Sequence, residues 1–131
     1  MIDINVIISA LLRKVSIPDI VLIDVCQNHE LVLCDQIISE IYAVARRRFP
    51  QKVAVLKDLL ATLRFELVAE PKTIKVPIKD ANDQPILNAA ITSKVDVLIT
   101  GDKHFLQLDQ NIIPIITPYE YQCSYLKDPS L

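Results

Sequence analysis

The sequence contains a single glycine and no tryptophan, and few of its residues are aromatic. Gly101 is the only glycine among 131 residues, and Phe, Trp and Tyr together make up 5% of the chain. Dinucleotide-binding and P-loop motifs need more than one glycine, so the usual patterns of both are excluded. The scarcity of aromatic residues, without basic residues interleaved among them, argues against recognition of nucleic-acid bases by stacking.

An excess of positive charge and a cysteine motif are also missing. The chain has 14 Lys and Arg against 16 Asp and Glu, for a net charge of -2, so a polyanionic substrate would need a local basic patch or bound cations. Cys26, Cys34 and Cys123 have no zinc-site or disulfide spacing and are expected to be buried, reduced thiols of a cytoplasmic protein. No apolar run is long enough to span a bilayer, so no membrane partner is expected.

What the chain has is apolar sequence in short, regular segments. Hydrophobic residues make up 51% of it, enough for one domain over residues 1–131 with its own core. The alternation of helical periods with short apolar runs predicts an α/β fold, a three-layer sandwich around a central parallel sheet of about five strands. The predicted helices are 17–26, 36–48, 51–64, 83–94, a short one near Phe105 and a last one opened by Thr117 and Pro118; the strands are 31–34, 66–68, 95–99 and 112–116, with a linker over 71–78.

Acidic residues stand where the predicted strands end or the helices begin. Asp102 follows an apolar run that stops at Thr100 and Gly101, Asp83 precedes a buried helix, and Asp3 lies beside the first apolar segment. Taken alone, Asp3 is explained equally well as a helix N-cap, Asp83 is better explained as one, and Asp102 could also cap a short helix. In a parallel sheet, however, such positions converge on one crevice.

A fourth acid, Glu40, lies inside the predicted helix 36–48. It shares a face with Ile37, Ile41 and Val44, which places its carboxylate near the sheet. A buried carboxylate must be paired, protonated or bound to metal. The structural explanation is an ion pair with a basic partner such as Arg47 or Arg13.

Several carboxylates held together favour a bound divalent cation, because they repel one another unless protonated or bridged. Oxygen-only ligands select Mg²⁺ or Mn²⁺ over zinc. Such an ion lowers the pKa of bound water and neutralises charge on a phosphate, which is the chemistry of a nuclease.

Four segments of the chain resemble the motifs of PIN domains, in the same order and approximate spacing. The chain is most similar to the bacterial group regarded as toxins of toxin–antitoxin systems, from Met1 to about Tyr121. The matching segments are Asp3-Ile4-Asn5-Val6-Ile7-Ile8-Ser9, Ser39-Glu40-Ile41, Asp80-Ala81-Asn82-Asp83-Gln84-Pro85-Ile86-Leu87 and Thr100-Gly101-Asp102-Lys103.

This resemblance implies a PIN-like fold and a metal-dependent endoribonuclease that hydrolyses single-stranded RNA with Mg²⁺ or Mn²⁺. It also implies a homodimer and a cognate antitoxin protein bound to a groove between helices. The implied catalytic and metal-binding residues are Asp3, Glu40, Asp83 and Asp102; the accessory residues are Asn5, Ser9, Asp80 and Thr100; and Lys103 is the implied substrate-binding residue.

Three features of the chain depart from this pattern. Ile4 replaces the threonine of the usual Asp-Thr-Asn, and His104 stands where such proteins often have another acid. Only two residues precede Asp3, whereas the first strand normally has several. A first strand that short would hold Asp3 poorly.

Two other functions stay open at this point. The short first strand favours a catalytically weak PIN-like module that binds a partner protein. A receiver-like phosphoacceptor also has acids at strand ends with a threonine and a lysine, but it predicts an aspartate on a central strand followed by small residues, which the sequence lacks.

Overall fold

The computed structural model describes residues 1–69 and 71–126, and in these ranges helices alternate with short strands. The α/β class predicted from the sequence is therefore confirmed. The predicted domain 1–131 also includes Glu70 and residues 127–131, which lie outside the described residues. In chain order the elements are α1 (Ile4–Leu12), α2 (Ile17–Asn28), β1 (Leu31–Cys34), α3 (Asp35–Arg48), a 3₁₀ turn (Pro50–Lys52), α4 (Val53–Thr62), β2 (Phe65–Val68), α5 (Gln84–Thr92), β3 (Leu98–Ile99), α6 (Lys103–Leu106), β4 (Ile115–Ile116) and α7 (Pro118–Tyr125).

The strands form two small parallel sheets in place of the predicted central sheet of about five strands. β1 pairs with β2, and β3 pairs with β4, with Ile99 opposite Ile116. The segment before α1 adds a single bridge between Ile2 and Ile99. Its pairing stops there because Asp3 already caps α1. β4 is shorter than predicted because Pro114 accepts a hydrogen bond from Leu98 but has no N–H to donate.

Residues 1–2, which form the bridge, run parallel to β3 and β4. The carboxyl ends of these three segments therefore lie at the same edge of the sheet. Asp3 follows the bridge, Thr100 follows β3 and Thr117 follows β4. Thr117 and Pro118 open α7 as predicted, in a capping box with Glu120. The edge is thus built from polar residues that follow buried or half-buried strand segments.

One apolar core supports this edge from beneath. It includes Ile2, Leu33, Ile41, Ile86 and Leu98, all fully buried. α3 packs against α1, α4 and α5, which fixes the helix that carries Glu40 relative to the two helices that follow Asp3 and Asp83.

The cysteines depart from their predicted environment. Cys34 is buried and Cys26 is half-buried, but Cys123 is exposed, so the prediction of three buried thiols is wrong for Cys123. Within residues 1–69 and 71–126, no helix has both the length and the hydropathy needed to cross a bilayer.

Candidate functional site

Asp3 is a buried carboxylate held in place by three hydrogen bonds. Its backbone N–H donates to the Ile99 carbonyl at 2.9 Å. Its Oδ1 accepts from the Ile4 N–H at 2.8 Å, and its Oδ2 accepts from the Thr100 hydroxyl at 2.8 Å. The helix cap and the candidate site therefore use different oxygens of one side chain, and the single bridge before α1 is enough to hold Asp3.

Several effects change the pKa of Asp3, and the largest of them is burial, which raises it. The hydrogen bonds from Thr100 and Ile4 oppose this change, whereas the charges of Asp102 and Glu40 add to it. The carboxylate is therefore in a site that disfavours negative charge unless a cation is present.

Asp102 follows β3 after Thr100 and Gly101. The Asp102 N–H donates to the Thr100 hydroxyl at 3.0 Å, and Asp102 Oδ1 accepts from the His104 N–H at 2.9 Å as the N-cap of α6. Thr100 thus connects the two acids by accepting from one and donating to the other. Gly101 has no positive φ and has open space where a Cβ would lie, so the turn does not require a glycine for its conformation.

Asp83 lies at the start of α5, but its side chain makes no capping hydrogen bond. Its Oδ2 atom is buried and has no hydrogen-bond partner among the described residues. A buried polar atom without a partner is costly, so this oxygen calls for a proton or a cation. The capping explanation of Asp83 is therefore not supported by the structure.

The electrostatic surroundings of Asp83 point to the same conclusion. Burial, followed by the charges of Asp102, Asp80, Asp3 and Glu40, raises its pKa from 3.8 to about 7. Four carboxylates close enough to act on a fifth form one acidic cluster.

The loop before α5 holds Asp80 and Asp83 in a fixed turn. Asp80 Oδ1 accepts from the Asn82 N–H at 2.9 Å, and the Asp80 carbonyl accepts from the N–H groups of Asp83 and Gln84. The Gln84 side chain then joins the preceding linker to α5, accepting from the Ile78 N–H and donating to the Val76 carbonyl and Asn88 Oδ1.

Glu40 lies on α3 and is half-buried, as its helical position predicts. Its Oε1 accepts from Gln36 Nε2 at 2.7 Å. In the part of the chain that the structure describes, no lysine or arginine lies within ion-pair distance of it, so neither Arg47 nor Arg13 is its partner. Its charge raises the pKa of both Asp3 and Asp83, which places Glu40 with the other acids.

His104 is a member of this cluster that was not among the predicted site residues. Its Nδ1 lies 3.8 Å from Asp83 Oδ2 and 3.5 Å from Asp102 Oδ1. The ligand atoms of Asp80, Asp83 and His104 lie within 4.8 Å of one another, a spacing that one metal ion can span. The available signal was its position two residues after Asp102, where similar proteins often have an acid.

Within the described part of the chain, the side chains of the remaining candidate residues make no hydrogen bond or ion pair with the acidic cluster. Asn5 is exposed and Ser9 half-buried on α1, and neither side chain hydrogen bonds to the acids described above. Lys103 is exposed at the start of α6, directly after Asp102. The structure therefore brings together Asp3, Glu40, Asp80, Asp83, Thr100, Asp102 and His104.

A family model described as the PIN domain matches residues 1–104 of this chain. The chain belongs to the PIN domain family. All four acids predicted as ligands lie within the matched part of this PIN domain.

The fold of this PIN domain is also found in a solved structure. It is similar to a chain in the crystal structure of VapBC2 from Rickettsia felis bound to a DNA fragment from their promoter. The TM-score is 0.69 at 16% sequence identity, over 89% of this chain and 96% of that chain. At that identity the likeness concerns the fold alone. No curated protein matches the sequence.

Proposed function

We propose that this protein is an endoribonuclease that hydrolyses single-stranded RNA with Mg²⁺ or Mn²⁺, as the toxin of a toxin–antitoxin pair. The observation that supports this most is Asp83 Oδ2, a buried oxygen without a hydrogen-bond partner among the described residues. It lies in a cluster of carboxylates whose mutual repulsion a divalent cation would relieve. The donor set therefore fits a hard divalent metal ion.

Asp3, Glu40, Asp83 and Asp102 would hold the metal, with Asp80 beside them. A divalent cation bound there supplies a water of lowered pKa and neutralises charge on the scissile phosphate. The protein contributes fixed positions: Thr100 orients the Asp3 carboxylate, and Gln36 orients Glu40. Such supporting hydrogen bonds keep ligands in place before the substrate arrives.

Contacts with RNA would come from local positive charge, because the whole chain is slightly acidic. Lys103 is exposed directly after Asp102, where it is available to a phosphate. Arg46, Arg47 and Arg48 are exposed at the end of α3, the helix that carries Glu40. Binding through phosphates weakens as the salt concentration rises.

The first prediction is that cleavage depends on metal and on Glu40. Purified, tag-free protein should cleave a fluorescently labelled single-stranded RNA with Mn²⁺ and stop when EDTA is added. Glu40→Gln should reduce the rate at least about tenfold, because it removes a ligand charge. It retains the oxygen that accepts from Gln36, so the helix should not be disturbed.

Glu40→Gln also serves as the control for contamination, because a nuclease from the expression host would be equally abundant in the wild-type and variant preparations. Equal cleavage by the wild type and Glu40→Gln would mean that this site is not responsible. A labelled DNA strand of the same sequence tests whether the substrate is RNA.

The alternative function, a catalytically weak module that binds a partner protein, has one observation in its favour. The segment before α1 adds only a single bridge to the sheet. The hydrogen bonds that hold Asp3 argue against an impaired site. Absence of both RNA cleavage and Mn²⁺ binding would favour the module.

The proposed antitoxin partner is supported by an apolar groove between α1, α2 and α4. This groove has a volume of about 320 Å³ and is lined by Ala10, Lys14, Asp19, Leu22, Ile23, Cys26, Gln27, Leu59 and Leu63. Its apolar walls beside the exposed Lys14 suit an amphipathic peptide segment. The homodimer implied by the sequence resemblance stays a prediction.

The second prediction concerns this groove. A small protein encoded by the neighbouring reading frame should inhibit RNA cleavage, and Ile23→Lys should raise the concentration needed for inhibition at least about tenfold. Ile23 is 48% exposed and lines the groove, whereas Ile112, 54% exposed, lies outside it. Ile112→Lys is therefore the matched control. Equal inhibition of the wild type and Ile23→Lys would exclude the groove as the binding site.

A further inference from the structure

The acidic cluster contains one nitrogen donor, the imidazole of His104. Its Nδ1 is 3.8 Å from Asp83 Oδ2 and 3.5 Å from Asp102 Oδ1. Two ligands of the same ion lie roughly 3 to 4.5 Å apart, because each bond to the metal is about 2.0 to 2.3 Å long. The distances from His104 to both carboxylates fit a shared ion.

Asp83 supplies an independent reason to expect a ligand at this place. Asp83 is buried, with 7% of the residue exposed, and its Oδ2 atom is itself buried without a hydrogen-bond partner in residues 1–69 and 71–126. This oxygen is the one that faces His104 Nδ1. A cation between the two would satisfy both a lone pair of the carboxylate and that of the imidazole.

The backbone of His104 is fixed, while its ring keeps some freedom. The N–H of His104 donates to Asp102 Oδ1 at 2.9 Å in the first turn of α6. The side chain is 59% exposed, so the ring can move by the small amount that coordination requires. The donor is thus held next to the carboxylates without being locked into another contact.

We propose that His104 coordinates the metal together with Asp83, that Asp80, whose carboxylate lies within 4.8 Å of the ligand atoms of both, joins them as a ligand, and that the nitrogen ligand makes the site prefer Mn²⁺ to Mg²⁺. The inference deepens the proposed nuclease function and rests on it. Imidazole suits transition-metal ions, whereas Mg²⁺ is a hard cation that favours oxygen ligands and retains its water. A site with an acid in place of His104 would offer oxygen alone.

The third prediction tests this through metal binding rather than activity. Tag-free, metal-free protein is titrated with Mn²⁺ and with Mg²⁺ by calorimetry, and electron spin-echo spectroscopy of bound Mn²⁺ detects ¹⁴N of a coordinated imidazole. The wild type should show the ¹⁴N coupling. His104→Asp should lose it and reduce the ratio of Mn²⁺ to Mg²⁺ affinity at least about tenfold, since a nitrogen ligand, which Mg²⁺ accepts poorly, is exchanged for an oxygen ligand.

The chain offers a matched control because it has only one other histidine. His29 is exposed and lies beside Tyr121 and Tyr125, away from the acids. His29→Ala should retain both the coupling and the affinity ratio. Thermal unfolding of His104→Asp without metal shows whether the variant is folded, and His104→Gln provides a neutral second variant.

The outcomes separate this inference from the proposed function. Mn²⁺ binding without ¹⁴N coupling, or an unchanged affinity ratio in both His104 variants, would overturn the inference and leave RNA cleavage unaffected; His104 would then lie near Asp83 and Asp102 without binding the metal. Coupling in a protein that cleaves no RNA would overturn the nuclease proposal and retain the metal site. A wild type that binds neither ion would contradict both.

Discussion

Asp102→Asn is expected to reduce the rate of RNA cleavage at least about 100-fold, because it removes one negative ligand from the cluster. The substitution should not lower the stability of the metal-free protein. Asparagine retains the oxygen that accepts from the His104 N–H, and the backbone N–H that donates to Thr100 is unchanged. Removing a charge near Asp3 and Asp83 also relieves repulsion. The measurements are cleavage rate with saturating Mn²⁺ and melting temperature without metal.

Two further variants make this result interpretable. Asp102→Ala removes the cap as well as the charge, so it should lose activity and also about 1 kcal/mol of stability. Asp109→Asn changes an exposed acid just after α6 and should leave both properties unaltered. If Asp102→Asn cleaved RNA as fast as the wild type, Asp102 would serve only as the cap of α6.

Asp83→Asn is expected to stabilise the metal-free protein at pH 8 by about 2 kcal/mol, which corresponds to a rise in melting temperature of about 8 °C for a domain of this size. The reason is the carboxylate itself. Its Oδ2 is buried without a hydrogen-bond partner among the described residues, and it is surrounded by other acids. An amide of the same shape carries no charge to desolvate.

The stability difference between Asp83→Asn and the wild type should depend on pH. The pKa of Asp83 is about 7 in the folded protein against an ordinary value of 3.8, so between these values the folded state retains a proton that the unfolded state releases. The wild type therefore loses stability from this group as the pH rises from about 4 to about 7. The advantage of Asp83→Asn should be small near pH 4 and complete above about pH 7.

With Mn²⁺ present, the wild type should have the higher melting temperature of the two proteins. Mn²⁺ binds the folded wild type and raises its melting temperature, whereas Asp83→Asn lacks a ligand and should respond weakly. Asp58→Asn, at an exposed position on α4, is the control for a general effect of charge. A variant that melts below the wild type at pH 8 without metal would show that the Asp83 carboxylate is satisfied in the folded protein.

The helices followed from the sequence far better than the sheets. α2 begins at Ile17 and α3 ends at Arg48, both as predicted, since capping residues and apolar periodicity act locally. The sheet depends on pairing between distant segments. Apolar runs alone do not show that the pairing of residues 1–2 stops at Asp3, which caps α1. They also do not show that β4 is shortened beside Pro114.

Of the four predicted acids, Asp3, Asp83 and Asp102 were accessible from the sequence because the ends of parallel strands and the starts of the following helices converge. Glu40 was accessible because it shares a helix face with apolar residues. Three other features were not. The hydroxyl of Thr100 joins Asp3 to Asp102, Asp83 is left without a capping bond, and Nδ1 of His104 faces two carboxylates. Each depends on the direction of a side chain across elements that are far apart in the sequence.

The hydrogen bonds of Gln84 have a consequence for how tightly the site can hold an ion. Its amide group joins Val76, Ile78 and Asn88, so the loop that carries Asp80 and Asp83 is already immobilised against α5. Ordering a flexible loop would consume about 1 to 2 kcal/mol per residue of the interaction with the ion. In the proposed metal site, a side chain that coordinates nothing would thereby raise the affinity for the ion, because the entropy of its loop is lost during folding and not during binding.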